Sequence, residues 1–140
     1  MAPEPDDDAP GAIVGFDHVS LPMRDADAMA AFYRGLGLEI AANPHVVSVY
    51  VGRGQMINFH RPETWQRSGF TLRARAAEPP CGDLCFVWEG SAQALRESLE
   101  RVGTAVVEGP VAREGGRRAG ATSVYVRDPD GNLLEFMTYG

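Results

Sequence analysis

The sequence predicts an α+β domain in which two βαβββ modules form a curved mixed sheet around a central cavity. The main observation is an internal repeat, because a strand, a helix and three further strands can be traced twice along the chain. A second observation is that Ser-Val-Tyr-Val recurs at the same place in both series, at residues 48–51 and 123–126. A length of 140 residues suits one such domain and is too short for two independent cores.

The repeat sets the expected boundaries of the modules. Module one is expected at about residues 13–61 and module two at about 82–139, with a linker at about 62–80. A structureless loop of this length is uncommon in a compact domain. The linker is therefore either a spacer between the modules or a flap over a pocket, and Trp65 and Phe70 are the residues that support a flap.

Each module is expected to open with a strand that leads into a capped helix. In module one an alternating strand pattern covers residues 16–23, and Asp25 can cap the helix that follows. In module two a strand pattern covers residues 83–88, and Ser91 can cap the helix. A glycine follows the apolar stripe of each helix and can end it.

Three short strand patterns follow each helix. They are predicted at residues 38–41, 46–51 and 56–59 in module one, and at residues 105–108, 123–126 and 133–137 in module two. The turn at residues 128–131 has Pro second and Gly fourth, as a type I turn prefers. The stretch at 113–120 is expected to be a mobile surface loop, or one that closes over an anionic ligand through Arg117 and Arg118.

Composition excludes several classes of function. The net charge of −6 argues against nucleic acid as the main partner, and no apolar run is long enough to span a membrane. All 13 basic residues are arginine, which excludes mechanisms that need a lysine amine. The start resembles no secretory signal, so we expect a cytoplasmic protein with a disordered tail at 1–11 and a domain at 12–140. Cys81 and Cys85 form no disulfide pattern, and Cys85 is expected to be a buried thiol.

Strand alternation predicts polar residues on the side of the strands that faces away from the helices. Residues two apart share a face, so Val19 and Leu21 should pack on the helix and His18 should lie opposite them. The same argument puts Asp83 on the face that does not meet the second helix. Glu135 is a carboxylate in an apolar last strand, where it is costly unless it is paired or bound to a cation.

The repeat brings these polar positions into register. His18 corresponds to Asp83, and Asn58 corresponds to Glu135, while His60 shares the face of Asn58. Histidine and carboxylate are ligands of divalent first-row metals. The joint occurrence of His18, Asp83 and Glu135 at equivalent strand positions therefore predicts a metal site. Asp83 could instead make local backbone hydrogen bonds at the start of its strand.

Two tyrosines occupy equivalent positions in the modules. Tyr50 and Tyr125 are candidates to line a substrate pocket together with Asn58, and the alternative for both tyrosines is a place in the core. Asp17 is expected on the opposite face, and His45 lies in a turn beside a proline. Neither of these two residues is expected to contribute to the site.

Three motifs carry a resemblance to a known family. They lie at residues 17–19, at residues 31–37 with the letters Ala-Phe-Tyr-Arg-Gly-Leu-Gly, and at residues 128–135 with Asp-Pro-Asp-Gly-Asn-Leu-Leu-Glu. With them, residues 13–139 resemble the glyoxalase, bleomycin-resistance and extradiol-dioxygenase superfamily, also called vicinal oxygen chelate proteins. Further stretches are similar to its glyoxalase-domain-containing subgroup, at residues 56–60, 82–86 and 107–113.

The resemblance implies a metal held by residues on the first and last strands of both modules. Carried over to this chain, it implicates His18 and Glu135 directly. Asp83 stands where the second module usually has histidine, and Asn58 stands where the first module usually has glutamate. These departures break the ligand set of glyoxalase I. The resemblance then implies that His18 and Glu135 hold the metal and take part in catalysis, with Asp83 or His60 as the third ligand. With His60 the set would be the two-histidine, one-carboxylate arrangement of non-heme iron oxygenases.

The function implied is that of a metal-dependent glyoxalase-like enzyme, a lyase, isomerase or dioxygenase acting on a small oxygenated molecule. The metal would be zinc, nickel, manganese or ferrous iron. The alternative is a non-catalytic protein that binds a drug or another small molecule, as resistance proteins of this superfamily do. The presence of His18 and Glu135 favours the enzyme. A homodimer is expected, because members usually complete the cavity or bury an open sheet edge by two-fold association.

Overall fold

Residues 10–140 are described by a computed structural model of the chain. The expected disorder at the start falls mainly on residues 1–9, which lie outside this range. Pro10 and Gly11 are exposed and belong to no helix or strand. The described part of the chain contains no helix long and apolar enough to cross a membrane. The cytoplasmic location and the domain start at residue 12 stay predictions.

The two modules have the predicted order of elements. Module one comprises β1 (His18–Pro22), α1 (Ala26–Gly35), β2 (Glu39–Ala42), β3 (Val46–Val51) and β4 (Gln55–His60). Module two comprises β5 (Asp83–Val87), α3 (Ala92–Arg101), β6 (Glu108–Glu114), β7 (Gly120–Arg127) and β8 (Leu133–Tyr139). The linker contains a short helix that the pattern did not predict, α2 (Pro62–Trp65), which begins with a proline as helices often do.

Each module forms its own four-stranded sheet. The strand order is β1-β4-β3-β2 in the first sheet and β5-β8-β7-β6 in the second. In each sheet the first strand runs parallel to the last one, and the other neighbours are antiparallel. The predicted α+β class with two βαβββ modules is thereby confirmed. β1 and β5 are edge strands of their sheets.

The helices begin at the predicted caps. The side chain of Asp25 accepts a hydrogen bond from the backbone N–H of Ala28, and that of Ser91 accepts one from Ala94. These bonds satisfy N–H groups that have no partner within the first helical turn. The first strand of each module therefore leads directly into a helix that returns across its sheet.

β6 lies further along the chain than predicted. Its strand pattern was expected at residues 105–108, but Val106 and Val107 are 46% and 56% exposed and precede the strand. The pairing of β6 with β7 is irregular between Glu108 and Val111, where a Gly-Pro pair interrupts the ladder. As a result, the expected loop at 113–120 is partly strand and forms the tip of the β6–β7 hairpin.

One hydrophobic core lies between the modules. Val19 and Leu21 of β1 pack against the same buried cluster as Leu84 and Phe86 of β5, as strand alternation predicts. The cluster also contains residues of α1 and α3. Because the helix-facing sides of both sheets contribute to this one core, the opposite faces of the two sheets point away from it. We call these opposite faces the first and second open faces.

A buried carboxylate ties module two to module one. Tyr33 in α1 donates a hydrogen bond from its hydroxyl to Asp128 Oδ2 at 2.7 Å, and Asn132 Nδ2 donates to the same oxygen at 2.8 Å. Asn132 in turn accepts from the backbone N–H of Gly82 at 2.8 Å, just before β5. Asp130 accepts from two backbone N–H groups immediately before α1. Burial and the charge of Asp128 raise the pKa of Tyr33 far above its usual value.

We predict that Tyr33→Phe lowers the free energy of unfolding by about 1–3 kcal/mol, because it takes one donor from a buried carboxylate. Tyr50→Phe is the control, since this tyrosine is 40% exposed, and its loss should stay within about 0.5 kcal/mol. Urea unfolding at neutral pH measures both values. Equal effects of the two substitutions would show that the Tyr33–Asp128 bond does not stabilise the fold.

Candidate functional site

The first open face carries the polar candidates of module one. Asn58 of β4 pairs with Ser20 of β1 and with Ser48 of β3, and paired residues share a face. His18 and His60 lie two residues away from these positions on their own strands, so they share this face. Tyr50 also belongs to it and is 40% exposed, so it does not lie in the core.

His18 is oriented by its neighbour in the chain. Its Nδ1 lies 2.6 Å from Asp17 Oδ1, and the imidazole is partly exposed at the edge of the sheet. An imidazole that donates from Nδ1 to a carboxylate keeps the lone pair of Nε2 for a metal or a proton. Asp17 was expected to play no part, because strand alternation puts it on the other face. It precedes the first residue of β1, where alternation no longer applies.

The linker covers His60. The ring of Phe70 meets the imidazole of His60 edge to face, with 5.4 Å between the ring centroids. Trp65 Nε1 donates to the backbone carbonyl of Met23 at 2.9 Å, which holds the linker against module one. Partial burial lowers the pKa of His60, so its imidazole stays neutral to a lower pH than a free one. The two aromatic residues that suggested a flap thus pack on module one, beside the first open face.

The second open face carries the polar candidates of module two. Cys85 pairs with Glu135 across β5 and β8, and Glu135 pairs with Tyr125 across β8 and β7. Asp83 lies two residues before Cys85 and shares its face. The expectation that Cys85 is buried is wrong, because Leu84 faces the core and its neighbour Cys85 lies on the exposed face of the strand.

The carboxylate of Glu135 has close partners on this face. Ser123 Oγ donates to Glu135 Oε2 at 2.6 Å. Partial burial, the charge of Glu135, a hydrogen bond with Glu135 and the charge of Asp83 together raise the pKa of the Cys85 thiol to about 11. The thiol is therefore protonated at neutral pH, and its Sγ donates to the backbone carbonyl of Phe86 at 3.8 Å.

The same serine contact occurs in both modules. Ser48 Oγ donates to Asn58 Oδ1 at 2.8 Å, at positions equivalent to Ser123 and Glu135. The two open faces thus share one hydrogen-bonding pattern, with a neutral amide in module one and a carboxylate in module two. Sequence reasoning aligned Asn58 with Glu135 but missed the two serines, although both begin the repeated Ser-Val-Tyr-Val letters.

A cavity of about 410 Å³ lies on the second open face beside Glu135. The β6–β7 hairpin forms one wall, and the side chains of Tyr125, Met137 and Tyr139 form much of the rest. Two arginines of the hairpin, Arg113 and Arg117, also line it. The sequence offered Arg117 and Arg118 as the alternative to a plain surface loop; Arg118 does not line the cavity, and Arg113 was missed.

The predicted metal ligands are divided between the two open faces. His18 and His60 belong to the first, and Asp83 and Glu135 belong to the second. Within residues 10–140, no three His, Cys, Asp or Glu side chains come together in a group that could hold a metal ion. The donor types suit a divalent metal, but each face of one chain offers only part of a set.

The reactivity of the Cys85 thiol should depend on the charge of Glu135. In a Cys81→Ser background, metal-free protein should react with iodoacetamide slowly at pH 8, because a pKa of about 11 leaves about one thiol in a thousand ionised. Glu135→Gln removes a nearby charge and should speed alkylation several-fold. Glu114→Gln, on the same hairpin wall, should not change the rate. A rate that rises with a pKa near 8.5, or one indifferent to Glu135→Gln, contradicts the described contact.

Known proteins are similar to this chain in fold and in sequence. Glyoxalase domain-containing protein RDO1 of Mycosarcoma maydis is 33% identical over 128 residues, which is 91% of this chain and 70% of the relative. The crystal structure of virulence protein STM3117 from Salmonella typhimurium has a TM-score of 0.80 and 31% identity, covering 93% of this chain and 100% of that one. Lactoylglutathione lyase from Agrobacterium tumefaciens has a TM-score of 0.66 and 25% identity, covering 91% and 96%.

A family model also matches nearly the whole chain. Its match runs over residues 15–136, from just before β1 into β8, and so includes both modules. The matched range contains the three motifs on which the resemblance was based. The chain belongs to the Glyoxalase/Bleomycin resistance protein/Dioxygenase superfamily.

Proposed function

We propose that this protein is a metal-dependent, glyoxalase-like enzyme that acts on a small oxygenated molecule, and that its site forms between two copies of the chain. The observation that carries the proposal is the division of suitable ligands between two outward faces. One face offers imidazoles and the other offers carboxylates, and each is incomplete within the described residues. Placing the first open face of one copy against the second open face of another would complete the set.

The sheet edges support association of this kind. β1 and β5 are edge strands, and they carry His18 and Asp83. The segment before β1 adds apolar side chains with almost no cover, since Ile13, Val14 and Phe16 are 97%, 98% and 87% exposed. Exposed edges and contiguous exposed apolar residues are features that a partner surface usually covers. A two-fold axis would then create two equivalent sites in a homodimer.

The residues are suited to holding a metal. His18 would bind through Nε2, because Nδ1 is engaged by Asp17. Glu135 would bind through the oxygen that does not accept from Ser123. The third ligand would be Asp83 from the second open face or His60 from the first. His60 is favoured by its lowered pKa, since neutral imidazole is the form that binds metals.

A divalent ion bound there would supply Lewis-acid polarisation of the oxygen atoms of a substrate. The chain itself would supply a base, because a carboxylate such as Glu135 can take a proton from a carbon or hydroxyl of the bound molecule. Ser123 would keep that carboxylate in place. Tyr125, opposite Glu135, and Asn58 and Tyr50 on the other face would contact the substrate from two sides.

The second candidate is a binding protein without catalysis. One observation favours it: an apolar cavity of about 350 Å³ lies between α3 and the core-facing side of the second sheet, away from Glu135. Leu95, Leu99 and Val124 line it, so it could hold an apolar molecule without a metal. Asn58 and Asp83 also depart from the ligand set of glyoxalase I. Metal uptake separates the two candidates.

The proposal predicts that Glu135→Gln reduces metal affinity by more than about 100-fold, because it removes a charged ligand while nearly preserving shape. The metal-free fold should keep its melting temperature, since glutamine can still accept from Ser123. Elemental analysis after dialysis against zinc, manganese, nickel or anaerobic ferrous iron measures uptake. Glu114→Gln is the matched control and should bind metal as the wild type does. Negligible uptake by wild type and variant alike would favour the binding protein.

The same measurement identifies the third ligand. Loss of a direct ligand should weaken binding strongly, whereas loss of a supporting group typically costs about 10- to 100-fold. We expect His60→Ala to have the larger effect and Asp83→Asn the smaller one. The reverse order would assign the third ligand to the second open face.

A further inference from the structure

We propose that the cavity beside Glu135 binds an anionic group of the substrate, a carboxylate or a phosphate, through Arg113 and Arg117. This inference rests on the proposed function, because it concerns the same site. It adds a substrate class, namely small molecules with a metal-binding oxygen pair at one end and an anion at the other. It is supported by the position of Arg113, the position of Arg117, the packing of the hairpin tip and the local charge.

Arg113 contacts an aromatic residue that lies next to Glu135. Its Nε donates to the Tyr125 hydroxyl at 3.0 Å, its Cζ lies 5.6 Å from the centre of that ring, and its Nη1 donates to the carbonyl of Ala112 at 2.9 Å. Tyr125 is the residue directly opposite Glu135 in the β7–β8 ladder. A guanidinium has five N–H donors, so Arg113 retains donors for a ligand.

Arg117 is positioned in the same way by a second tyrosine. Its Cζ lies 4.7 Å from the ring centre of Tyr139, and its backbone N–H donates to the Tyr139 hydroxyl at 3.3 Å. Tyr139 lines the same cavity as Tyr125. Two guanidinium groups are therefore each stacked on a ring of the cavity wall, which restricts their motion before any ligand arrives.

The hairpin tip sits close against the cavity wall. A Cβ atom at Gly115 would overlap the hydroxyl of Tyr139 and the sulfur of Met137 unless those side chains moved, so the backbone here lies directly against them. Gly116 follows it and also lines the cavity. The hairpin backbone between the two arginines therefore lies next to the same tyrosine that Arg117 contacts.

The local charge leaves the arginines available for an anion. Among residues 10–140, the only pair of opposite charges within 4 Å is His18 with Asp17, so neither Arg113 nor Arg117 is engaged by a carboxylate. The acidic groups beside the cavity, Glu114 and Glu135, would repel an anion. A metal bound to Glu135 would offset that charge, and anion binding should therefore be stronger when metal is present.

The test uses three hydroxamates of the same length. Each chelates a divalent metal at one end and carries a carboxylate, a phosphonate or a neutral carboxamide at the other, as in succinic monohydroxamate and its analogues. Isothermal titration calorimetry gives their dissociation constants for full-length protein supplemented with manganese or zinc. We expect at least one of the two anionic compounds to bind about 10-fold more tightly than the carboxamide, with a difference that shrinks at high ionic strength. The ranking of carboxylate and phosphonate identifies the anion.

Charge-neutralising variants locate the effect. Arg113→Gln and Arg117→Gln should each reduce the advantage of the anionic compound to under about 3-fold. Arg118→Gln is the matched control, since Arg118 lies on the same hairpin but does not line the cavity, and it should keep the full advantage. Equal binding of all three hydroxamates to metal-loaded wild type, or an advantage that survives both substitutions, overturns this inference alone. Failure of every hydroxamate to bind overturns the proposed metal site and this inference with it.

Discussion

The two modules share one hydrophobic core, and this sharing constrains where every other side chain of the sheets can lie. Both sheets present their helix-facing residues to the same buried cluster. Because side chains alternate along a strand, each polar position must then lie on a face directed away from that cluster. Tyr33, Asp128 and Asn132 hold the modules in this relation through buried hydrogen bonds. The polar positions of the repeat therefore lie on two outward faces.

The two open faces share one hydrogen-bonding pattern and differ in charge. Ser48 and Ser123 occupy equivalent positions and donate to Asn58 and Glu135 respectively. An amide at the first position accepts the serine hydrogen bond as well as a carboxylate does, but it brings no negative charge to a metal. Only the second open face therefore carries an acid at this position, and Tyr125, which pairs with Glu135, contacts Arg113.

Most of the fold could be predicted because it depends on local patterns. Caps at Asp25 and Ser91 and the alternation in β1 and β5 are properties of short segments, and the structure agrees with them. β6 was misplaced, because the Gly-Pro pair that interrupts it gives no strand pattern. Which faces of the repeat meet is decided by packing between distant segments. Strand alternation could therefore place His18 and Glu135 on strand faces directed away from the helices. It could not show whether one chain brings the two side chains together.

A mixed dimer tests the central claim most directly. His18→Ala and Glu135→Gln chains with different affinity tags are co-expressed, and dimers that retain both tags are analysed for metal. If each site takes His18 from one chain and Glu135 from the other, the mixed dimer has one intact site and one doubly altered site. It should bind about one metal ion per two chains, while each parent variant binds almost none. A mixed dimer as metal-poor as its parents, or failure of the two chains to associate, would contradict a site shared between copies.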